Sequence, residues 1–503
     1  MAKQISTDLS KVLHGLNMTA DVVKSTLGPK GRNVLIDDPM EPKITNDGVT
    51  IANSISFEDK EENLGAYLVK NTSAQTNDNA GDGTTTTSLL LQEVVREALK
   101  RPENPMEVRA SLLESSKDIV SKIQKLSRPI KTDAQIQQVA TISAESEKHG
   151  KMIADIIKKV GKDGVITVED SRGFTTEYEI VEGYEAHVGF MSPHFITDQK
   201  GAKAVYEKVP VAVFEHKIDT LGDIKSLFEL LQRERLNSIV LVCHDIDNSV
   251  LGNLIVNKLQ GNVGICVIRA ANSDLLDDIA AATGATVIAE RTGVSYENVD
   301  MMHLGMADKV ISSEKKSLFF SKKAKPSLQA KRLEELSANT QSPYEKSKYA
   351  ERAAKLRGKI AVIRVGAPTD MEKWYIKHKM EDAVNATQSA IAEGIVEGGG
   401  MALYRISEAL NQKTIGEQIL KKVLTSPLRT ILDNAGKDYA TVLMNMPKGK
   451  GYNARTDEYV DLIAEGIIDP AKVERCAIEN AVSTGAQFIT TFAAITDIPE
   501  KKI

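Results

Sequence analysis

The feature that most constrains the fold of this 503-residue chain is a change of pattern along its length. Both ends carry apolar residues at helical spacing, whereas residues 183–366 alternate β-rich runs with helical ones. Such alternation predicts an α/β unit with an at least partly parallel sheet. The sequence therefore predicts a helical body formed by both chain ends, with an α/β domain inserted into it. Gly183 and Gly366 lie near the two crossings, where a hinge would favour small residues.

Apolar periodicity and turn residues predict the individual elements. We expect strands at residues 33–37, 50–55, 209–214, 238–242, 263–269 and 286–289. We expect helices at residues 62–75, 224–235, 250–259, 327–336 and 343–356, and helical structure again from Met371 onward. The helices at 327–336 and 343–356 are charged and resemble an exposed helical hairpin.

Charge and composition exclude several classes of protein. Acidic residues (69) outnumber basic ones (64), which argues weakly against a nucleic-acid binder. The longest strictly apolar run, residues 239–243, is too short to span a bilayer, and the first residues lack the apolar core of a signal peptide. Three widely spaced cysteines fit a reducing compartment. The sequence therefore predicts a cytoplasmic protein that binds neither nucleic acid nor membrane.

The strongest local signal is a glycine-rich turn, Gly81-Asp82-Gly83, followed by four threonines and an apolar helix. Glycines let a backbone approach an anion, and the first N–H groups of a helix point towards it. An adjacent aspartate can hold a Mg²⁺ ion that bridges phosphates. The alternative is an ordinary helix cap, which one threonine would satisfy. Four threonines favour phosphate binding.

Two further turns and two carboxylates are weaker signals. Residues 26–32 form a glycine-rich link that, taken alone, is more typical of a helix C-cap than of a phosphate site. Residues 398–400 are three glycines before a helix, and they suit a close helix crossing as well as they suit an anion site. Asp47 and Asp382 look locally like a turn residue and a solvated helix residue. Near a terminal phosphate, either carboxylate could orient or deprotonate water.

Together these segments resemble one family, the group I chaperonins of the GroEL type. The matching segments, in chain order, are residues 26–33, 45–49, 80–86, 165–170, 393–400, 451–454 and 468–470. The resemblance implies a multidomain α and α/β fold with three domains. A mostly helical equatorial domain would comprise 1–125 and 393–503, a small hinge-like intermediate domain 126–181 and 367–392, and an inserted α/β apical domain 182–366.

The resemblance also implies an ATP site with Mg²⁺ and K⁺. The residues that would contact the nucleotide are Thr26, Leu27, Gly28, Pro29, Asp82, Gly83, Thr84, Thr85, Thr86, Gly399, Asn453, Ala454, Arg455 and Asp469. Asp82 and Asp382 would hold Mg²⁺, and Asn46 falls where the family binds K⁺, with Thr26 and one threonine of the run at 84–86. Asp382 would be the catalytic carboxylate, with Asp47 as its partner.

For partners, the resemblance implies nonnative polypeptides, a ring of seven copies of this chain, and a GroES-type cochaperonin lid. The residues that would bind polypeptide on an apolar apical surface are Phe190, Phe195, Leu227, Leu230, Leu251, Ile255 and Val256. From the residues alone, ordinary core packing is the favoured interpretation of these side chains. An exposed apolar surface would suit nonnative chains because the hydrophobic effect is non-directional.

Several positions depart from the family pattern and support an alternative. Arg455 stands where the family has a small residue beside the adenine, and Glu145 stands in place of the usual asparagine. Residues 269–274 form a shortened apical loop, and no glycine-methionine tail follows. The alternative is a divergent paralogue that holds polypeptides with little ATP turnover.

Overall fold

In the computed structural model, the described residues are 3–37, 42–161, 164–171, 173–199, 201–321, 324, 326–340 and 342–497. The chain divides into two compact units. The first combines residues 1–158, 168–176 and 365–503, and the second combines residues 159–167 and 177–364. The first unit is thus built from both ends of the chain, while the division into three domains stays a prediction.

The N-terminal part is helical. Its helices are α1 (Ser10–Lys24), α2 (Gly48–Ser54), α3 (Lys60–Ala80), α4 (Thr84–Ala98), α5 (Pro105–Leu126), α6 (Asp133–Ala144) and α7 (Glu147–Val160). Its strands are β1 (Lys3–Ser6), β2 (Val34–Ile36) and β3 (Lys43–Thr45). The predicted strand at residues 50–55 is wrong, because Asp47 caps a helix there by accepting hydrogen bonds from the Val49 and Thr50 amides.

The middle part alternates strands and helices. Its strands are β4 (Val165–Asp170), β5 (Glu177–Ala186), β6 (Ala204–Ile218), β7 (Ser238–Ile246), β8 (Gly264–Arg269), β9 (Val287–Ile288), β10 (Gly305–Ser312), β11 (Ser317–Phe320) and β12 (Lys359–Val365). Its helices are α8 (Lys225–Arg233), α9 (Asn248–Leu259), α10 (Ser273–Thr283), α11 (Pro326–Asn339) and α12 (Pro343–Leu356). Short 3₁₀ turns connect several of them.

The C-terminal part is helical with small hairpins. Its helices are α13 (Asp370–Glu393), α14 (Met401–Glu408), α15 (Ile415–Val423), α16 (Ser426–Asn434), α17 (Tyr439–Met444) and α18 (Ala471–Phe488). Its strands are β13 (Ile395–Glu397), β14 (Gly451–Asn453), β15 (Glu458–Val460), β16 (Ile468–Pro470) and β17 (Ala494–Asp497). β17 pairs antiparallel with β1, so the two chain ends meet in one ribbon.

The second unit is organised around one mixed sheet with the order β4-β12-β5-β11-β10-β6-β7-β8, and β9 also pairs with β6. The pairs β6–β7, β7–β8 and β6–β9 are parallel, which confirms the partly parallel sheet. Gly183 lies inside β5, where a Cβ would come within 2.5 Å of the Ile360 side chain. It is therefore a packing glycine of the sheet, whereas Gly366 does lie at a boundary between the units.

The first unit packs α1, α3, α4, α5 and α18 around one apolar core. Leu16, Val69, Leu91, Ile119 and Ile478 are fully buried in it. Burying a side chain of this size stabilises the fold by about 1.5–3 kcal/mol. This core fixes the start of α4, where the predicted phosphate turn lies. In the described part of the chain, no helix is long and apolar enough to cross a membrane.

Candidate functional site

The turn at residues 81–86 has the geometry that the sequence predicts for an anion site. Gly81 ends α3 at φ +73°, and Gly83 precedes α4 at φ +88°, in the left-handed region that favours glycine. Within the described residues, no side chain caps the first turn of α4. Its N–H groups are therefore left for an outside acceptor. Thr85 and Thr86 stay partly exposed beside them.

Two other elements approach this turn at backbone distance. A Cβ on Gly48, the first residue of α2, would lie 2.6 Å from the Thr85 hydroxyl. A Cβ on Gly81 would collide with the side chain of Asn385, which belongs to α13. Because these positions are glycines, α2 and α13 can pack closely against the turn at residues 81–86. The carboxylates of Asp47, which caps α2, and Asp382, on α13, therefore lie near this turn.

Four carboxylates converge here, on Asp47, Asp82, Asp382 and Asp469. Burial raises the pKa of Asp382 well above its ordinary value, and the charges of Asp82 and Asp47 raise it further. Burial, reinforced by the charge of Asp82, raises the pKa of Asp469 to about 6. The side chains keep partial solvent access although protein surrounds them, as expected for groups that line a cleft. The cleft therefore has an excess of negative charge that a cation would relieve.

Among the described residues, Lys379 on α13 opposes this charge. Burial raises the pKa of Asp82 as well, and the ammonium of Lys379 limits the upward shift of the pKa at both Asp82 and Asp382. In the described ranges, no group of three or more histidine, cysteine, aspartate or glutamate side chains could hold a metal ion by itself. Mg²⁺ is commonly bound by one or two carboxylates together with substrate phosphates. The residues therefore fit Mg²⁺ bound jointly by the protein and a nucleotide.

The triple glycine lies beside the fourth carboxylate. The Gly399 amide donates a hydrogen bond to Asp469, and this contact opposes the upward shift of its pKa. Gly400 precedes α14 at φ +75°, and in the described structure no side chain caps that helix either. A second set of uncapped amides thus lies next to the acidic cleft, as an anion site requires.

One ion pair links the Thr26–Pro29 loop to the Asn453–Arg455 hairpin, and a second ion pair links the hairpin to Lys437. Asp457 pairs with Lys30, which follows the loop, at 2.9 Å and with Lys437 at 3.1 Å. The Lys30 hydrogen bond and then the Lys437 bond lower the pKa of Asp457 to about 2. The structure thus brings these two sequence-predicted segments together, and Arg455 is exposed at the tip of the hairpin.

Asn46 lies between β3 and the Asp47 cap. Its Nδ2 donates to Glu145 Oε1 at 3.3 Å, whereas its Oδ1 is buried and has no hydrogen-bond partner. A buried oxygen without a partner costs free energy that a bound cation would recover. The oxygen is therefore compatible with the K⁺ site that the resemblance implies.

Several residues of this region were not predicted from the sequence. Burial first, then the charges of Asp469 and Asp82, raise the pKa of Glu474 to about 8. Glu474 lies on the buried face of α18, and its Oε2 has no partner. A glutamate on an otherwise apolar helix face is the signal that could have found it. Asp457, Lys379 and Tyr375 gave no comparable local signal.

The structure corrects part of the polypeptide-binding prediction. Phe195, Leu227 and Leu230 are at most 2% exposed, and Phe190 is also buried, so these four side chains belong to the core of the second unit. The alternative of ordinary core packing is correct for them in this structure. Leu251, Ile255 and Val256 lie on α9 and remain partly exposed, with Val256 at 50%.

Comparison with known proteins identifies the family. The model of the TCP-1/cpn60 chaperonin family matches residues 19–498. Two crystal forms of the chaperonin gp146 from the bacteriophage EL 2 (Pseudomonas aeruginosa), both in the presence of ATP-BeFx, have the same mixed helical and α/β fold. Both are 21% identical to this chain. Each match covers 99% of this chain and 100% of the phage chain, with TM-scores of 0.74 and 0.67, respectively. Because the family model spans nearly the whole sequence, the chain belongs to the TCP-1/cpn60 chaperonin family.

Proposed function

We propose that the protein is an ATP-dependent chaperonin of the group I, GroEL type, which hydrolyses ATP and assists the folding of nonnative polypeptides. The observation that carries this proposal is the convergence of Asp47, Asp82 and Asp382 on the uncapped start of α4. That arrangement combines an anion site with the carboxylates that phosphoryl transfer to water requires. The ATP analogue present with the phage chaperonin supports the choice of nucleotide.

The nucleotide would lie along the glycine turns. The amides and hydroxyls of Thr84, Thr85 and Thr86 would receive its phosphates, with Gly399 on the facing side. The Thr26–Pro29 loop and the Asn453–Arg455 hairpin would hold the rest of the molecule. The guanidinium of Arg455 could then stack on the base.

Two cations would complete the site. Mg²⁺ would be held by Asp82 and Asp382 with the phosphates, where it would neutralise charge on the transferred group. K⁺ would lie at Asn46, with Thr26 and a threonine of α4, and would satisfy the orphaned Asn46 oxygen.

Asp382 would act on the attacking water. Its carboxylate lies beside those of Asp82 and Asp47 at the start of α4, where it could accept a proton from the attacking water as a general base. Asp47, whose carboxylate accepts hydrogen bonds from two backbone amides, would be held in place opposite it. The proton from water would pass to the Asp382 carboxylate.

Assembly and client binding complete the proposal. The ribbons β1–β17 and β2–β3 expose Ile5 (69%), Ile495 (60%), Leu35 (70%) and Ile44 (43%). Such edge strands favour pairing with another chain, here a neighbouring copy in a seven-membered ring. Nonnative polypeptides would bind on α9 of the second unit, and a GroES-type lid would close the ring. The three buried free cysteines support a cytoplasmic location.

The test is steady-state ATP hydrolysis with Mg²⁺ and K⁺ in wild type, D382N and the control D370N. Asp370 lies on the same helix, but its side chain is 87% exposed. We expect D382N to lose at least ~100-fold in kcat while still binding ATP, and D370N to match wild type. A wild type that binds ATP without turnover would favour the holding paralogue instead, with Arg455 as the first position to revert to a small residue.

A further inference from the structure

Glu145 is the centre of a polar network beside the acidic cleft. Its carboxylate forms an ion pair with Lys379 at 3.0 Å and accepts a hydrogen bond from the Tyr375 hydroxyl at 3.0 Å. It also accepts a bond from the Asn46 amide at 3.3 Å. Although burial alone would raise it, Lys379 holds the pKa of Glu145 below its ordinary value. The group is therefore a carboxylate with three donors around it.

The three donors come from two elements that carry candidate catalytic groups. Tyr375 and Lys379 lie one turn apart on α13, and Asp382 follows Lys379 by three residues on the same helix. Asn46 immediately precedes Asp47, the cap of α2. One side chain at the end of α6 therefore joins the helix of Asp382 to the loop of Asp47.

The backbone at Glu145 has a conformation that is unfavourable for a glutamate. Glu145 adopts φ +51°, in the left-handed region. Glycine and asparagine enter that region far more readily than glutamate does. A strained residue at the edge of a site is a reason to look for a role there.

A cation–π contact between Lys43 and Trp374 also holds α13 against β3. The Lys43 ammonium lies 5.8 Å from the centre of the Trp374 ring, so the turn of α13 before Tyr375 rests on β3. This contact is independent of Glu145. The later turn, which carries Lys379 and Asp382, is held by the buried side chains of Met380 and Ala383 together with the Glu145 network.

We propose that Glu145 is a positioning residue for ATP hydrolysis, which holds Lys379 and Asn46 together and thereby fixes Asp382 opposite Asp47. This inference rests on the proposed function.

The experiment compares ATP turnover and thermal unfolding of E145Q, E145N and the control D133N. Asn suits the left-handed backbone but leaves Lys379 without its ion pair, so E145N should unfold below the wild-type temperature and above that of E145Q. Asp133 lies at the other end of α6, in an exposed ion pair with Lys158, so D133N breaks an ion pair on the same helix. We expect E145Q and E145N to lose about 10-fold or more in kcat with an ATP KM within about 2-fold of wild type, and D133N to lose nothing.

A double variant separates positioning from general destabilisation. If Glu145 acts through Lys379, E145Q/K379Q should lose no more turnover than K379Q alone. Wild-type turnover in E145Q and E145N would overturn the inference and leave the proposed function intact. A loss of kcat that grows with the fall in unfolding temperature from E145N to E145Q, or that comes with a raised KM, would overturn it as well. A wild type without turnover would overturn the proposed function and this inference together.

Discussion

Lys379 lies three residues before Asp382 on α13. Burial and the charges of Asp82 and Asp47 raise the pKa of Asp382, and the positive charge of Lys379 opposes this rise. The balance between these groups determines how basic the Asp382 carboxylate is. Without a bound cation the cleft holds more negative charge than Lys379 can offset. The protein therefore pays in stability for an acidic cleft, as functional sites commonly do.

Glu474 is expected to make the stability of the nucleotide-free protein fall as pH rises from about 4.5 to 8. Its folded-state pKa of about 8 lies above its ordinary value, so in this window the folded protein binds more protons than the unfolded chain. E474Q removes this loss and should raise the free energy of unfolding at pH 8 by on the order of 3 kcal/mol. Urea unfolding at pH 4.5 and pH 8 measures the difference.

The matched control for Glu474 is E479Q on the same helix. Glu479 forms an ion pair with Arg475, and its side chain is 44% exposed. E479Q should show wild-type pH dependence. An E474Q protein whose stability advantage is the same at both pH values would contradict the assignment of a buried, proton-binding carboxyl.

Asp82 is expected to make ATP binding depend on Mg²⁺. In wild type, chelation of Mg²⁺ should weaken ATP binding, because the phosphates would then face the uncompensated charges of the cleft. D82N should bind ATP with an affinity that changes less than about 3-fold between excess Mg²⁺ and a chelator. Titration calorimetry under both conditions tests this. Equal Mg²⁺ dependence in the two proteins would exclude Asp82 as a ligand.

Gly83 should tolerate no side chain. It adopts φ +88°, and a Cβ would lie 2.5 Å from the Val473 side chain, so G83A should cost about 1–3 kcal/mol and abolish ATP binding. G436A is the control, because Gly436 also has a positive φ but faces open space. It should cost only about 1 kcal/mol and keep ATP binding. ATP binding by a folded G83A protein would show that this turn does not cradle phosphate.

The β2–β3 ribbon is expected to join subunits. Introducing charge at its exposed apolar positions, as in L35K/I44K, should dissociate the proposed ring into smaller species in light-scattering measurements. Y344K is the control, because Tyr344 is 77% exposed on α12 of the second unit. It should leave the assembly unchanged. A ring that survives L35K/I44K must be held together by other surfaces.

Helices were predicted correctly where the apolar periodicity and the residues that start or end a helix agree. The helix at 343–356 is found at those bounds, and α3 and α9 extend their predicted ranges by a few residues. The strand at 50–55 failed because its β-branched residues suggested a strand, whereas the Asp47 cap decided for a helix. The strand propensity of a few residues is outweighed when a capping side chain accepts hydrogen bonds from the first amides of a helix.

The candidate site was predictable only where its residues lie close together in sequence. The turn at 81–86 could be predicted because its glycines and threonines are consecutive in the sequence. Glu145 and Lys379 are separated by more than 200 residues, and only the packing of α6 against α13 brings them together. Likewise, the amphipathic pattern around Leu227 and Leu230 marks an apolar face but cannot say whether that face is covered.

The central claim, that Asp382 drives hydrolysis of ATP bound at α4, is tested most directly in a single turnover. Wild type and D382N are mixed in excess over radiolabelled ATP with Mg²⁺ and K⁺, and the bound nucleotide is separated after quenching. We expect wild type to hold ADP and D382N to hold intact ATP after a time in which wild type has converted nearly all of it. Equal conversion in the two proteins, or intact ATP in both, would contradict the account.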